Sequence, residues 1–268
     1  MKKRLLFLLS LTIVCLTTFS SAAFAWFTKQ YNPSVDDLTF NVATQEHIMI
    51  STTGAVGTFN DQLSFNDFVT SDITDDLTLM PLDGVVNENS ISIQKEGIEQ
   101  AANQKYIKLS LYFYASNDMN VYLAGSTSGR VIDAIEVDNS ITDATQINKI
   151  ISSMRVGFVS YSTRETPSSN GIVTSYDPLA TNVYSVNAKT NESYVGNVKP
   201  YETFNSIGHT EGIEDDVILF SVKAKKINKL DVYIWLENKD VNCIENIPSS
   251  LVKINLRFLG VTIEEAGE

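Results

Sequence analysis

Histidine and cysteine are scarce in this 268-residue chain, which contains two residues of each. His47 and His209 stand far in sequence from Cys243, and neither an H-E-x-x-H motif nor a paired C-x-x-C motif is present. A zinc site would therefore need an unusual constellation of ligands. A G-x-S-x-G nucleophile elbow and a phosphate-binding glycine motif are also missing. We predict a protein that is not an enzyme and has neither a resident metal nor a cofactor.

Basic residues are also in short supply, since 20 Lys and Arg face 32 Asp and Glu, for a formal net charge of −12. Such a surface repels nucleic acid and anionic lipid, so neither is an expected partner. Two carboxylate clusters could hold calcium: Asp72 with Asp75 and Asp76, and Glu214 with Asp215 and Asp216. Neither has the alternating spacing of a calcium loop, so solvated turn charge is the favoured interpretation.

Long apolar runs are absent except at the start of the chain. The basic stretch MKKR precedes an apolar core from Leu5 to Leu16, and Ala23 and Ala25 fit the small-x-small rule of signal peptidases. This pattern predicts a signal peptide over residues 1–25, cleaved by a signal peptidase, and a secreted protein of the extracellular space or cell surface. The alternative is an uncleaved membrane anchor, because residues 5–27 carry no charge. On either interpretation, membrane contact is limited to this segment.

Apolar residues elsewhere recur mostly with period two, which is the pattern of strands with one buried face. In YIKLSLYFY, residues 106–114, Ile107, Leu109, Leu111 and Phe113 share one face. The same alternation occurs in VILFSVKA, DVYIWLE and LVKINLRF. About ten short strands separated by polar turns predict an all-β protein, a jelly-roll type β-sandwich. We expect residues 26–268 to form one such domain.

Three segments depart from this alternation. Residues 140–152, SITDATQINKIIS, have helical spacing, and Ser140 with Asp143 resembles a capping box, so we predict one short helix covering an end of the sandwich. Residues 162–200 are rich in Ser, Thr, Asn and Tyr, and we predict long loops between weak strands there. Residues 52–105 are similarly polar and carry turn signals instead of a periodic core face.

Tyrosines on the polar faces of predicted strands are the best lead to a binding surface. Tyr112 and Tyr114 share one such face, and Tyr233 and Trp235 share another. A carbohydrate-binding surface uses aromatic platforms of this kind. The alternative is that a second layer buries them, because aromatic residues favour sheets in any case.

Two stretches resemble a known family. AWFTKQYNPSVDDLTFNVATQEHIMIS, residues 25–51, resembles the export-and-start region of the TasA/camelysin family of Gram-positive surface and biofilm-matrix proteins. VYIWLENKDVNCIEN, residues 232–246, is similar to a stretch of clostridial relatives with the same start, although Asn238 stands where that pattern has glycine. Within it we interpret Trp235, Glu237, Asp240 and Cys243 as structural residues. Cys243 is either a buried small hydrophobe or a free thiol for pairing between chains.

The resemblance implies a jelly-roll fold and assembly by donor-strand exchange, with self-association or related matrix subunits as partners. Trp26 and Phe27, freed by cleavage, would enter a groove of the next subunit, where alternate side chains of an added strand fill pockets. The alternative is that both residues pack against their own domain. The expected function is therefore that of a cell-surface or biofilm-matrix structural protein. A monomeric adhesin or carbohydrate-binding module is the alternative.

Overall fold

The computed structural model describes most of the strand-forming parts of the chain. It covers residues 34–43, 48–68, 78–102, 105–123, 135–137, 143–169, 171–185, 193–194, 202–203, 218–240, 243 and 251–263. All of them belong to one compact unit that spans residues 32–268. The predicted signal segment, Trp26, Phe27, both histidines and both carboxylate clusters lie outside the described residues. Within the described ranges, no helix is long and apolar enough to span a membrane.

Strands dominate the described secondary structure, with one α-helix, α1 (Ala144–Ser153), and a 3-10 turn at Phe65–Phe68. In chain order the strands are β1 (Ser34–Ala43), β2 (Ile48–Ser51), β3 (Gln62–Leu63), β4 (Pro81–Asn87), β5 (Ser90–Lys95), β6 (Ile98–Glu99), β7 (Ile107–Ala115), β8 (Met119–Leu123), β9 (Ile135–Val137), β10 (Met154–Ser168), β11 (Gly171–Ser185), β12 (Ser193–Tyr194), β13 (Glu202–Thr203), β14 (Phe220–Val222), β15 (Asn228–Glu237) and β16 (Leu251–Thr262).

The strands form two sheets. The first has the order β14-β8-β16-β1-β3, with β9 also beside β16. Its β1 runs parallel to β16 from Ser34 to Ala43, whereas its other pairs are antiparallel. The second has the order β13-β11-β10-β15-β4-β5-β6, with β7 also beside β15 and β2 beside β7.

A phenylalanine-rich core lies between the two sheets. Phe258 of β16 contacts Phe113 of β7 and Phe158 of β10, with ring centroids 5.2 and 6.2 Å apart. Phe40 of β1 stacks on Phe258 from within the first sheet. All four rings are at most 1% exposed, and burial of each contributes about 1.5 to 3 kcal/mol. The predicted all-β sandwich with one short helix is confirmed.

The helix begins three residues later than expected from the sequence. Its N-cap is Asp143, whose side chain accepts a hydrogen bond from the Thr145 backbone nitrogen at 2.8 Å. The prediction that Ser140 caps it was wrong, because Asp143 provides the carboxylate that helix N-termini favour. Ile150 and Ile151 are buried in the core, whereas Ala144 is exposed.

Two polar segments, in which we predicted mainly loops, contain long or well-paired strands. β4 and β5 form a hairpin whose Leu82, Val86, Ile91 and Ile93 are buried. β10 and β11 pair from Val156 with Tyr184 to Ser168 with Gly171, and this pairing extends into the segment of residues 162–200. Beyond Ser160, β10 no longer pairs with β15, so residues 161–180 form a two-stranded arm. Because most of the arm's side chains are solvent-exposed, it has no apolar face for a sequence pattern to reveal.

Candidate functional site

The outer face of the second sheet points away from the phenylalanine core. Its two halves differ in whether another segment of the chain covers them. One half lies under the β4–β5 hairpin and forms a second apolar cluster; we call it the covered half. It contains Tyr106, Val159, Val183, Tyr233 and Trp235. The other half consists of half-buried polar and aromatic residues; we call it the open half. It contains Ser110, Tyr112, Tyr114, Tyr161, Tyr176, Lys229 and the buried Asp231.

Trp235 is the centre of the covered half and is fully buried. Gly84 lies so close to the indole that a Cβ there would meet its ring atoms at 2.7 Å. The Trp235 Nε1–H donates to the Glu237 carboxylate at 2.9 Å, and the Gly84 backbone N–H donates to the same oxygen at 3.1 Å. Glu237 therefore joins the end of β15 to the hairpin that covers it.

A buried ion pair lies next to Glu237, beyond the end of β15. Arg155, fully buried, donates to the Asp240 carboxylate at 2.5 Å and to the backbone carbonyls of Ser152 and Met154. The Cys243 backbone N–H donates to the Asp240 carbonyl oxygen at 2.9 Å. Burial, followed by the negative charges of Asp240 and Glu237, raises the pKa of the Cys243 thiol to about 12. Such a thiol is mostly protonated and poorly nucleophilic at neutral pH.

The four residues of the second resemblance stretch therefore lie in or beside the covered half. Trp235, Glu237, Asp240 and Cys243 are all at most 6% exposed. Of the two alternatives for Tyr233 and Trp235, burial under a second layer is correct and an exposed platform is wrong, because the β4–β5 hairpin buries both. Tyr112 and Tyr114 are half-buried and belong to the open half.

Asp231 organises the centre of the open half. Its carboxylate accepts hydrogen bonds from the Ser110 hydroxyl and the Tyr161 hydroxyl, each at 2.6 Å. The Lys229 ammonium is 2.9 Å from the same carboxylate and 4.1 Å from the centre of the Tyr161 ring. A buried carboxylate is thus compensated by two hydroxyls and one ammonium, as buried charges require.

The tyrosines around Asp231 resist ionisation. Burial, then the hydrogen bond to Asp231 and its charge, raises the pKa of Tyr161 far above its usual range. Burial and the Asp231 charge also raise the pKa of Tyr112. Tyr176 on the arm packs edge-on against Tyr112, with centroids 5.9 Å apart, and its pKa is raised by burial and by Tyr112. These phenols remain neutral hydrogen-bonding groups at physiological pH.

A groove of about 480 Å³ continues from this surface under the arm; we call it the arm groove. Met49 and Tyr114, which face each other across β2 and β7, line it. Val56, Gly57 and Phe59 of the loop after β2 form one wall, and Glu165 and Thr174 of the arm form another. The remaining lining comes from a turn that contributes Lys225, Lys226 and Ile227.

The loop wall is held by a buried serine. The Ser51 hydroxyl accepts from the backbone nitrogens of Thr53 and Gly54 at 3.1 Å and bonds the Thr58 hydroxyl at 2.6 Å. Gly54 has a φ of +69° and lies against the Tyr112 ring, where a Cβ would approach to 3.0 Å. These contacts fix the loop and leave Val56 98% exposed at the lip of the groove.

The turn beside the groove belongs to the sequence KAKKINK, residues 223–229, which holds four lysines in seven residues. Lys223 pairs with Asp118 at 2.8 Å, Lys226 with Glu165 at 3.5 Å, and Lys229 with Asp231. Within the described part of the chain, Lys225 has no such acidic partner. Its φ is +57°, and its backbone N–H donates to Ala115 at 2.8 Å.

The sequence interpretation missed Ser51, Lys225 and Asp231. Asp231 precedes Tyr233 and Trp235 by two and four positions in DVYIWLE, so the period-two pattern already places it on their face. The lysine-rich turn is visible as a basic run in an acidic chain. Ser51 has no such signal, because its role depends on the loop conformation. Among the described residues, no three His, Cys, Asp or Glu side chains gather closely enough to hold a metal ion.

The fold defines an all-β sandwich protein whose two sheets enclose a phenylalanine-rich core. Comparison with protein-family models, with curated proteins and with solved structures gave no match to this chain.

Proposed function

We propose that this chain is an exported, non-enzymatic structural protein of a cell surface or biofilm matrix whose subunits join by strand addition. The observation that carries the proposal is the edge of the first sheet. In the described residues, β3 pairs with β1 at Phe40 and Asn41, and the Asp61 backbone carbonyl accepts a hydrogen bond from the Val42 backbone N–H. No described strand lies beside residues 34–39 on that side.

An edge of this kind suits strand addition. The backbone groups of an unpaired edge can accept another chain, and the side chains of the added strand give the contact its specificity. The residues from Trp26 to Asn32 directly precede β1 in sequence, so they are available as a donor once a signal peptidase has acted. Trp26 and Phe27 would provide its apolar anchors, as the resemblance to the TasA/camelysin family implies. The contact would be head-to-tail, which generates filaments when it does not close.

The test is negative-stain electron microscopy of the chain that begins at Trp26, beside a chain that begins at Asn32 and keeps β1 intact. We expect filaments from the first and none from the second. Trp26→Ala/Phe27→Ala should also abolish filaments, whereas the matched Lys29→Ala/Gln30→Ala variant should retain them. Monomers from the chain that begins at Trp26, with or without calcium, would rule the proposal out.

The alternative function is that of a monomeric surface adhesin, and the open half favours it. Tyr112, Tyr114, Tyr161 and Tyr176 present an aromatic surface that is continuous with the arm groove. Aromatic surfaces with a few placed polar groups are typical of ligand sites. Binding by a chain that remains monomeric would favour this function over assembly.

A further inference from the structure

We propose that the arm groove binds a segment of an acidic polysaccharide, with a sugar ring against Tyr114 and Phe59 and a sugar carboxylate against Lys225. This site is separate from the edge of β1, so it does not require that the chain assembles. It assigns a ligand class to the binding surface of the alternative function.

The aromatic part of the groove suits a sugar ring. Tyr114 and Phe59 have ring centroids 5.9 Å apart and are inclined by 53°, and both are half-exposed. Their negative ring faces attract the weakly positive C–H groups of a pyranose. The volume of about 480 Å³ is within the range of small-molecule sites, about 300 to 1,000 Å³.

The charged part of the groove suits a carboxylate. Lys223, Lys226 and Lys229 are each paired with a carboxylate of this chain, which leaves Lys225 available. An ammonium that bonds an ionised carboxylate forms one of the stronger hydrogen bonds in proteins. The net charge of −12 acts weakly at long range, because charges beyond about 8 Å are largely screened at physiological ionic strength, and Glu165 of the groove lining is paired with Lys226.

The backbone conformation at Lys225 makes glycine a suitable substitution for a test. A positive φ is unfavourable for lysine and is retained where the surrounding structure fixes it. The turn is fixed by Asn228, whose amide group bonds the Lys223 backbone nitrogen and the carbonyls of Lys223 and Lys226. Glycine would adopt this conformation with less strain, so Lys225→Gly removes the side chain without disturbing the turn.

A polysaccharide fits better than a peptide because of the groove floor. Peptides that bind by strand addition need an open sheet edge. At the floor, Met49 and Tyr114 are opposite each other in paired strands, so their side chains face the ligand. The outer side of β2 is already occupied at Ile50, whose backbone exchanges two hydrogen bonds with Asn60. The groove therefore presents the ring faces of Tyr114 and Phe59 and the ammonium of Lys225 to a ligand.

The experiment is calorimetric titration of the chain that begins at Trp26 with oligogalacturonate, with neutral cello-oligosaccharide and with an acidic peptide, oligoglutamate. We expect binding of oligogalacturonate and at least tenfold weaker binding of the other two. Lys225→Gly should weaken oligogalacturonate binding about tenfold, the loss expected for one charge-assisted hydrogen bond. The matched control is Glu96→Gly, which relieves the same kind of strain at a φ of +53° outside the groove lining and should leave binding unchanged.

Introducing a charge of either sign at Val56, on the rim of the arm groove, provides a second test. Because Val56 is 98% exposed, Val56→Lys and Val56→Glu should both fold normally. We expect the first to strengthen and the second to weaken oligogalacturonate binding. Equal binding of oligoglutamate, no binding of oligogalacturonate, or wild-type binding by Lys225→Gly would overturn the proposal. Sedimentation of the same samples reports assembly separately, so loss of binding and loss of filaments are distinguishable.

Discussion

The covered and open halves of the outer sheet face are built from the same strands and the same alternation, yet they differ in what lies above them. Trp235 and Asp231 are four residues apart on β15, and both are buried. Trp235 is sealed by a hairpin that starts at Pro81, whereas Asp231 is surrounded by hydroxyls and half-exposed tyrosines.

The difference shows that an aromatic residue on an outward-facing strand position has no fixed role. A tyrosine or tryptophan becomes core where a distant segment covers it and becomes surface where none does. In this chain Glu237 joins the covering hairpin to β15, whereas the arm and the lysine-rich turn line a groove beside the other half. Stability should therefore depend on the covered half, and binding on the open half.

The largest expected effect comes from breaking the buried ion pair beside the covered half. Asp240→Ala removes a carboxylate that pairs with the buried Arg155 guanidinium, and loss of one partner of a buried pair costs about 3 to 5 kcal/mol. Urea unfolding would measure the loss. The control is Asp177→Ala, which removes an exposed pair with Arg164 on the arm and should cost about 1 kcal/mol or less. Equal losses of unfolding free energy for both variants would contradict the assignment of stability to the covered half.

Overpacking against Trp235 should have the next largest effect. Gly84→Ala places a methyl group against the rigid indole, and we expect a loss of about 1 to 3 kcal/mol in unfolding free energy. Gly157→Ala should cost less, because its Cβ would meet the flexible terminal methyl of Ile91 at 2.4 Å but the rigid Trp235 ring only at 3.1 Å, against 2.7 Å for a Cβ at Gly84. A Gly84→Ala variant as stable as the wild type would show that the hairpin does not rest tightly on Trp235.

Alkaline pH should reduce the contribution of the open-half tyrosines to folding stability. Tyr112, Tyr161 and Tyr176 have folded-state pKa values above the usual value of about 10, so the unfolded chain loses these protons first. Stability from these tyrosines is therefore complete below about pH 10 and declines as the pH rises further. Asp231→Asn should lower the pKa of Tyr161 because it removes a negative charge, and phenolate absorbance would follow this shift. An unchanged titration would contradict the role given to Asp231.

The smallest expected effect concerns the reactivity of the Cys243 thiol. Its thiol is 6% exposed and has a pKa raised to about 12, so it should react with a thiol reagent at pH 8 only when the chain unfolds. Reaction rates measured across a urea series would follow the unfolding transition. Rapid modification of the native chain, or a disulfide-linked dimer, would favour the interpretation of Cys243 as a thiol for pairing between chains.

Period-two alternation was sufficient to predict the sandwich, because β7 and β16 bury every second residue, whereas β15 is buried on both faces from Leu230 to Glu237. It was not sufficient for β4 and β5, whose apolar positions are few and separated by Gly84 and a polar turn. Weak strands were expected within residues 162–200, but the length of the arm was not, because strands exposed on both faces need no apolar pattern. For the candidate site, Tyr112 and Tyr114 were predictable. The contacts of Ser51 and the positive φ of Lys225 depend on loop conformation, which the pattern does not encode.

Hydroxyl-radical footprinting with mass spectrometry, with and without oligogalacturonate, would test the account most directly. We predict that Tyr114, Phe59 and Val56 are oxidised in the free chain and protected by the oligosaccharide, while Trp235 and Tyr233 remain unmodified in both samples. Oxidation of Trp235 in the native chain, or labelling of Tyr114 that the oligosaccharide leaves unchanged, would contradict the assignment of stability to one half and binding to the other.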